Sequence, residues 1–158
     1  MKIFLDTSFL FKLYHKEKDT EVIEKLFSQI SITNIYLSEI TKVEFASTIW
    51  KIVRTKEITA LEAATTLQLF ENDLDKYSFV ATDSLIVEQA KILTMKYGLK
   101  GLRTLDRIQL SSAIALTTIV ELFLTSDNLL KSLLNEEGLK TELPFFGDSD
   151  VTIDIIDT

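Results

Sequence analysis

The chain has 158 residues, 46% of them hydrophobic, with 4 glycines, 1 proline and no cysteine. That length buries a continuous core without disulfides or metal staples, and the scarcity of Gly and Pro excludes disordered, collagen-like and loop-dominated classes. With 17 basic and 24 acidic residues the net charge is −7, which argues against gripping nucleic acid by overall charge, because that affinity comes mainly from Lys and Arg on phosphates. A local basic rim, or a divalent cation bridging an acidic site to phosphate, remains compatible with it.

Residues 2–6 read as a fully buried strand, since Ile3-Phe4-Leu5 is apolar on both faces and closes on Asp6-Thr7-Ser8. A short helix is expected over about 8–14, and a second over 20–30, where Val22, Ile23, Leu26, Phe27 and Ile30 recur at helical spacing. Ile35–Leu37 reads as the next strand. Ser38 is a good N-cap for a long helix to about 55, and Thr59 with Glu62 forms a capping box for another to about 75. Tyr77–Ala81 is a strand or a linker. A helix over 84–97 stops near Gly98, and Thr104 opens one that runs to about 118. Glu121–Thr125 is a strand, Asp127 caps a helix to about 136, and Gly138 precedes a last core strand, Leu139–Leu143.

Strands separated by helices require crossover connections, so the class is α/β with a parallel sheet. No apolar stretch is long enough to span a bilayer, and the first residues lack the apolar core of a secretory signal. No membrane association is expected, and a cytoplasmic location is, in agreement with the lack of cysteine. After Pro144 the composition changes to an acidic, alternating stretch, so residues 147–158 are an added edge strand or a loose tail.

Familiar sites are quickly struck out. The single histidine, His15, lies in a Lys-rich stretch and reads as a surface residue rather than part of a triad or a multi-histidine metal site. Gly98, Gly101, Gly138 and Gly147 form neither GxxxxGK nor GxGxxG, so no phosphate loop exists. What remains is acids in unusual places. Asp6 ends the first strand, at the end where open α/β sheets put their ligand crevice, though a helix N-cap explains it equally well. Asp127 repeats that situation after the strand Glu121–Thr125. Asp106, as the second residue of a helix capped by Thr104, favours the positive helix end, yet its row continues through Leu110, Ala113 and Thr117 toward the core. Glu44 falls on a wheel with Thr41, Ser47, Thr48 and Lys51, opposite Ala46, Ile49, Trp50 and Val53, as on an ordinary solvated stripe. Were the four to converge, two carboxylates about 4 Å apart would repel by roughly 4 kcal/mol at an effective dielectric near 20, and would take up protons or recruit a cation. Oxygen donors without Cys or His point to Mg²⁺ or Mn²⁺, and the spaced acids of an EF-hand are absent.

The order IFLDTSFL, KVEF, LRTLDRIQLSSAIA, FLTSDNLL resembles a PIN domain of the size and layout of VapC toxins, over about residues 2–146. The resemblance implies a three-layer α/β/α fold with a central parallel sheet of about five strands, in a nuclease domain over 1–146. It also implies an acidic pocket at the strand carboxyl ends that binds Mg²⁺ or Mn²⁺ and cleaves RNA. By motif match the acids fall on Asp6, Glu44, Asp106 and Asp127, with Asp6, Asp106 and Asp127 as metal ligands and Ser8 and Thr125 as supporting polar groups. Homodimerisation and a small neutralising antitoxin belong to the same implication. Lys12, Lys42, Lys51, Arg103 and Arg107 are candidate phosphate contacts, each equally readable as a solvated helix face. Two departures stand out: Gln109 where many relatives carry histidine, and the extra segment 147–158. The rival expectations are a housekeeping RNA-processing PIN nuclease and an inactive PIN-like binding module. A dehalogenase-like phosphotransferase would need Asp where Ser8 stands.

Overall fold

The structure, a computed structural model, describes residues 1–16 and 20–143, so the 147–158 extension lies outside the described residues. Its elements are β1 (Lys2–Leu5), α1 (Thr7–Tyr14), α2 (Thr20–Gln29), β2 (Asn34–Ser38), α3 (Thr41–Arg54), α4 (Ala60–Asn72), β3 (Tyr77–Val80), α5 (Ser84–Tyr97), α6 (Thr104–Ala115), β4 (Leu122–Leu124) and α7 (Asn128–Glu136). The strands form one parallel sheet in the order β3-β2-β1-β4, with Ile3 opposite Ile35 on one side and Leu122 on the other.

Alternation along these short strands builds two cores. Ile3, Leu5, Leu37, Leu122 and Leu124 face a layer that includes Phe9, Phe11, Ile23, Phe45, Ile49 and Phe70 of α1 to α4. Phe4 and Phe123 face the other layer, with Leu93, Leu110, Ala113, Leu130 and Leu133 of α5 to α7. Both faces of the sheet are therefore covered, which is why strands as apolar as IFL and LFL are stable here. The expected three-layer α/β arrangement is observed.

The differences in detail have local causes. Four strands, not about five, are present among the described residues. Leu139–Leu143 carries no ladder; the Lys140 carbonyl accepts a single 2.8 Å hydrogen bond from the Phe123 N–H. Ser38 ends β2 instead of capping α3, whose N-cap is Ile40 with no side-chain bond. Its hydroxyl is fully buried and accepts a hydrogen bond from Ser112. Arg103, not Thr104, is the N-cap of α6, which makes Asp106 the third helical residue, and the helix ends at Ala115 rather than near 118. The Thr59–Glu62 capping box and the Asp127 cap form as expected. The wheel of α3 needs the largest correction. Its buried stripe is Thr41, Phe45, Ile49 and Ile52, while Trp50, placed inward by the pattern, is 43% exposed.

Candidate active site

Parallel β1, β2, β3 and β4 all present their carboxyl ends to one edge of the sheet, where backbone pairing has stopped and helices begin. Asp6 is the corner of that edge. Its N–H still pairs with the Leu124 carbonyl at 3.1 Å, and its side chain then caps α1 by accepting from the Phe9 N–H at 2.9 Å. Both sequence readings of Asp6 are thus compatible with its place, since capping engages only part of the carboxylate. Ser8 Oγ donates to the carboxylate at 2.8 Å, and Thr125 Oγ1 donates to Oδ2 at 2.8 Å.

Ser8 and Thr125 also fasten the two strand ends together. Ser8 Oγ accepts from the Ser126 N–H at 3.0 Å, and Thr125 Oγ1 accepts from the Asp127 N–H at 3.0 Å. Asp127 itself caps α7 through Oδ1 and the Leu130 N–H at 2.8 Å. One hydroxyl pair therefore links the Asp6 carboxylate to the turn that carries Asp127.

Glu44 approaches from α3. Its Oε2 accepts from Thr7 Oγ1 at 2.6 Å and from Gln109 Nε2 at 2.6 Å. Gln109 Nε2 also reaches Thr7 Oγ1 at 2.9 Å and Thr41 Oγ1 at 3.0 Å. Thr7, Thr41 and Gln109 are all buried, so α1, α3 and α6 meet in a polar knot beside Asp6. The solvated-stripe reading of Glu44 is wrong on the side facing Thr41, which is fully buried. Asp106, on the first turn of α6, is paired with Arg103 Nε at 3.0 Å.

The electrostatics set Asp6 apart. At 5% exposure its carboxyl is pushed up to about 6, chiefly by desolvation, with the nearby charge of Glu44 adding to the effect and the Phe9, Thr125 and Ser8 hydrogen bonds opposing it. Arg103 feels the complementary field: the hydrogen bond and charge of Asp106, then the charges of Asp127 and Glu44, hold its guanidinium more firmly protonated. Three of the four acids thus act on one cation.

The donor chemistry fits a hard divalent cation. Every candidate donor is oxygen, and Asp6 is a buried acid with no basic partner. Among the described residues, Glu44 Oε1, Asp106 Oδ1 and Asp127 Oδ2 accept no hydrogen bond from protein. No three acids among the described residues are gathered closely enough to enclose one ion.

The basic candidates separate as well. Lys42 pairs with Glu39 at 3.2 Å and lies over the Phe79 ring, while Arg103 is engaged with Asp106. Lys51 is exposed on α3, and Lys12 lies half-buried on α1. Arg107 is half-buried, with an Nε that has no partner among the described residues.

A parallel sheet with acids ranged along its carboxyl edge defines a class of α/β domains with an acidic site. A family model for the PIN domain matches residues 3–133, and the chain belongs to that family. No curated protein matches the sequence. Among solved structures, FitAcB from Neisseria gonorrhoeae is similar with a TM-score of 0.67 at 15% identity, covering 92% of this chain and 99% of that one. VapBC-1 from nontypeable Haemophilus influenzae follows with a TM-score of 0.63 at 14% identity, over 90% of this chain and 97% of the other. VapC20 from Mycobacterium tuberculosis, described as a Sarcin-Ricin loop cleaving toxin, has a TM-score of 0.63 at 14% identity over 83% and 94%. Likeness at such identities establishes a shared fold.

Proposed function

We propose that this PIN-domain protein is a metal-dependent endoribonuclease that hydrolyses RNA phosphodiester bonds, and that it is the toxin of a toxin-antitoxin pair. The observation that carries the reading is Asp6: a desolvated carboxylate held by two hydroxyls at the carboxyl edge of the sheet, with a second acid near enough to raise its pKa. Burying such a group without a basic partner is costly, and a site that receives a cation offsets that cost.

In this reading Asp6, Asp106 and Asp127 would hold Mg²⁺ or Mn²⁺ directly or through bound water, since no three acids among the described residues lie close enough to enclose an ion by themselves. The ion supplies water activation and charge neutralisation at the phosphate. The chain's own residues do the rest. Ser8 and Thr125 fix the rotamer of Asp6 and the spacing between the β1 and β4 turns. Glu44, with Oε2 anchored by Thr7 and Gln109, offers Oε1 to orient the attacking water. Arg103 and Arg107 sit on the same first turns of α6 as Asp106 and supply charge to the RNA backbone. With a net charge of −7 the protein contributes modest backbone affinity by itself.

The partners follow from the same reading. The VapBC structures from Rickettsia felis and nontypeable Haemophilus influenzae share this fold over nearly their whole length, which supports an antitoxin partner, while a second copy of the chain rests on the family resemblance alone. Copurification of a small protein that suppresses cleavage tests the former, and light scattering of the purified chain tests the latter.

The decisive test is RNA cleavage in Mn²⁺ or Mg²⁺ by the wild type, Asp6→Asn and Asp106→Asn. The expected result is metal-dependent cleavage by the wild type alone. Equal cleavage by all three proteins rules out this site.

A further inference from the structure

Gln109 lies in the middle of α6, one turn beyond Asp106, and is only 2% exposed. A primary amide buried in a helix otherwise flanked by Ile108 and Leu110 is expensive unless both ends are satisfied. Here one end is used to excess and the other is idle. Nε2 has two hydrogens and faces three oxygens, at 2.6 Å on Glu44, 2.9 Å on Thr7 and 3.0 Å on Thr41, while Oε1 is buried with no partner among the described residues. If Gln109 served only to fill the interface, an apolar side chain of the same volume would do so without an orphaned carbonyl.

The asymmetry has a consequence at Glu44. Its Oε2 receives both the Gln109 amide and the Thr7 hydroxyl, at 2.6 Å each, whereas Oε1 receives nothing from protein among the described residues. Donors from α1 and α6 therefore fix the position and rotation of a carboxylate that belongs to α3, and they do so on one oxygen only. The amide orientation is also settled by this contact, because turning the amide over would place its carbonyl 2.6 Å from an ionised carboxylate oxygen.

On the basis of the nuclease reading above, we propose that Gln109 is a positioning residue for the reaction: its amide donor, shared with Thr7 and Thr41, locks Oε2 of Glu44 so that Oε1 alone faces the RNA and its attacking water. Gln109 touches neither substrate nor metal. It acts through Glu44. Thr41 backs the amide from the buried side of α3, and Thr7, next to Asp6 in the chain, ties the orientation of Glu44 to that of the corner acid.

The test is a double-mutant cycle on RNA cleavage in Mn²⁺. Gln109→Glu keeps the size but sets a carboxyl against Glu44 in place of the neutral amide donor, and Gln109→Met keeps the volume and removes both polar ends. Thermal unfolding of each confirms that it is folded, and the Met variant keeps the test alive if the Glu variant does not fold. The expected outcome is a fall in kcat of about tenfold to a hundredfold, as for residues that orient other active groups, with KM for RNA within about twofold. In a Glu44→Ala background the same change at Gln109 should cost less than about twofold, because the carboxylate through which it acts has been removed. Losses that multiply in the double variant, or a change confined to KM, overturn the positioning role while leaving the nuclease reading intact. Failure of the wild type to cleave RNA in Mn²⁺ or Mg²⁺ overturns that reading and this proposal with it.

Discussion

The two ends of α1 carry two polar clusters that differ in how their charge is handled. At its start Asp6 is surrounded by hydroxyls and one backbone N–H, with another acid nearby and no basic group bonded to it. At its end, eight residues and about 12 Å along the axis, Tyr14 donates to Asp73 at 2.8 Å and shares a 2.6 Å hydrogen bond with Tyr77, while Lys76 pairs with Asp73. Asp73 is held below the usual carboxylate range by the hydrogen bonds from Lys76 and then Tyr14, whereas Asp6 is pushed up to about 6 by burial. One cluster is neutralised by the chain and is complete as it stands. The other leaves negative charge uncompensated, as the role proposed for Asp6 requires.

The sharpest way to break this contrast is Asp6→Asn. Cleavage of RNA should fall by more than the roughly hundredfold upper end seen when outer-shell partners are removed, since here the proposed ligand itself is lost. Near-wild-type cleavage by a folded Asp6→Asn protein would remove Asp6 from the active site.

The next effect is on stability against pH. The folded protein binds the Asp6 proton more tightly than the unfolded chain does, so this group stabilises the fold below its ordinary value of 3.8, and that stability is lost as pH rises to about 6. The difference corresponds to about 3 kcal/mol. Urea unfolding of wild type and Asp6→Asn should therefore show the variant gaining on the wild type by about that amount between about pH 4 and pH 7.5. A difference that does not change with pH would mean the carboxylate is better solvated than its burial indicates.

A slightly smaller shift is expected from metal. Mn²⁺ at about a hundred times its Kd stabilises a site that exists only in the fold by about 2.7 kcal/mol. Calorimetric Tm values should rise with Mn²⁺ for the wild type, return on adding EDTA, and stay flat for Asp6→Asn. The smallest effect belongs to the other end of α1: Tyr14→Phe removes one hydroxyl and should cost about 1 kcal/mol with cleavage unchanged. A loss of cleavage there would mean that the two clusters are coupled through α1.

The sequence is legible where local rules dominate. The strand-end acids Asp6 and Asp127, the Thr59 capping box and the helix stop near Gly98 depend on neighbours within one turn, and the structure places them as their patterns imply. Glu44 is different. Its wheel neighbour Thr41 looks polar and therefore exposed, and only the crossing of α1 and α6 shows that Thr41 lies fully buried among polar partners. Ser38 misleads for the same reason, because its hydroxyl is taken by Ser112 from a helix 74 residues away. Thr7 and Gln109 were not among the expected site residues. Gln109 did carry a signal, a lone amide inside an apolar helix, but its partners come from elements far along the chain. Family resemblance brought Glu44 to the site where periodicity alone left it on the surface.

The end of α7 has a consequence beyond the site. Gly138, at φ 79°, turns the chain back, and the bonds from the Gly138 N–H to Asn135 and from the Leu139 N–H to Leu134 complete a Schellman closure in which Leu139 packs in the same core as Leu134. That reversal brings Lys140 beside β4, an outer strand of only three apolar residues, where its carbonyl accepts from the Phe123 N–H. An open edge of this kind is a template for sheet-to-sheet association between molecules. One left-handed glycine thus sets the turn that screens part of this edge, and a β-branched residue at that position would be strained by the positive φ.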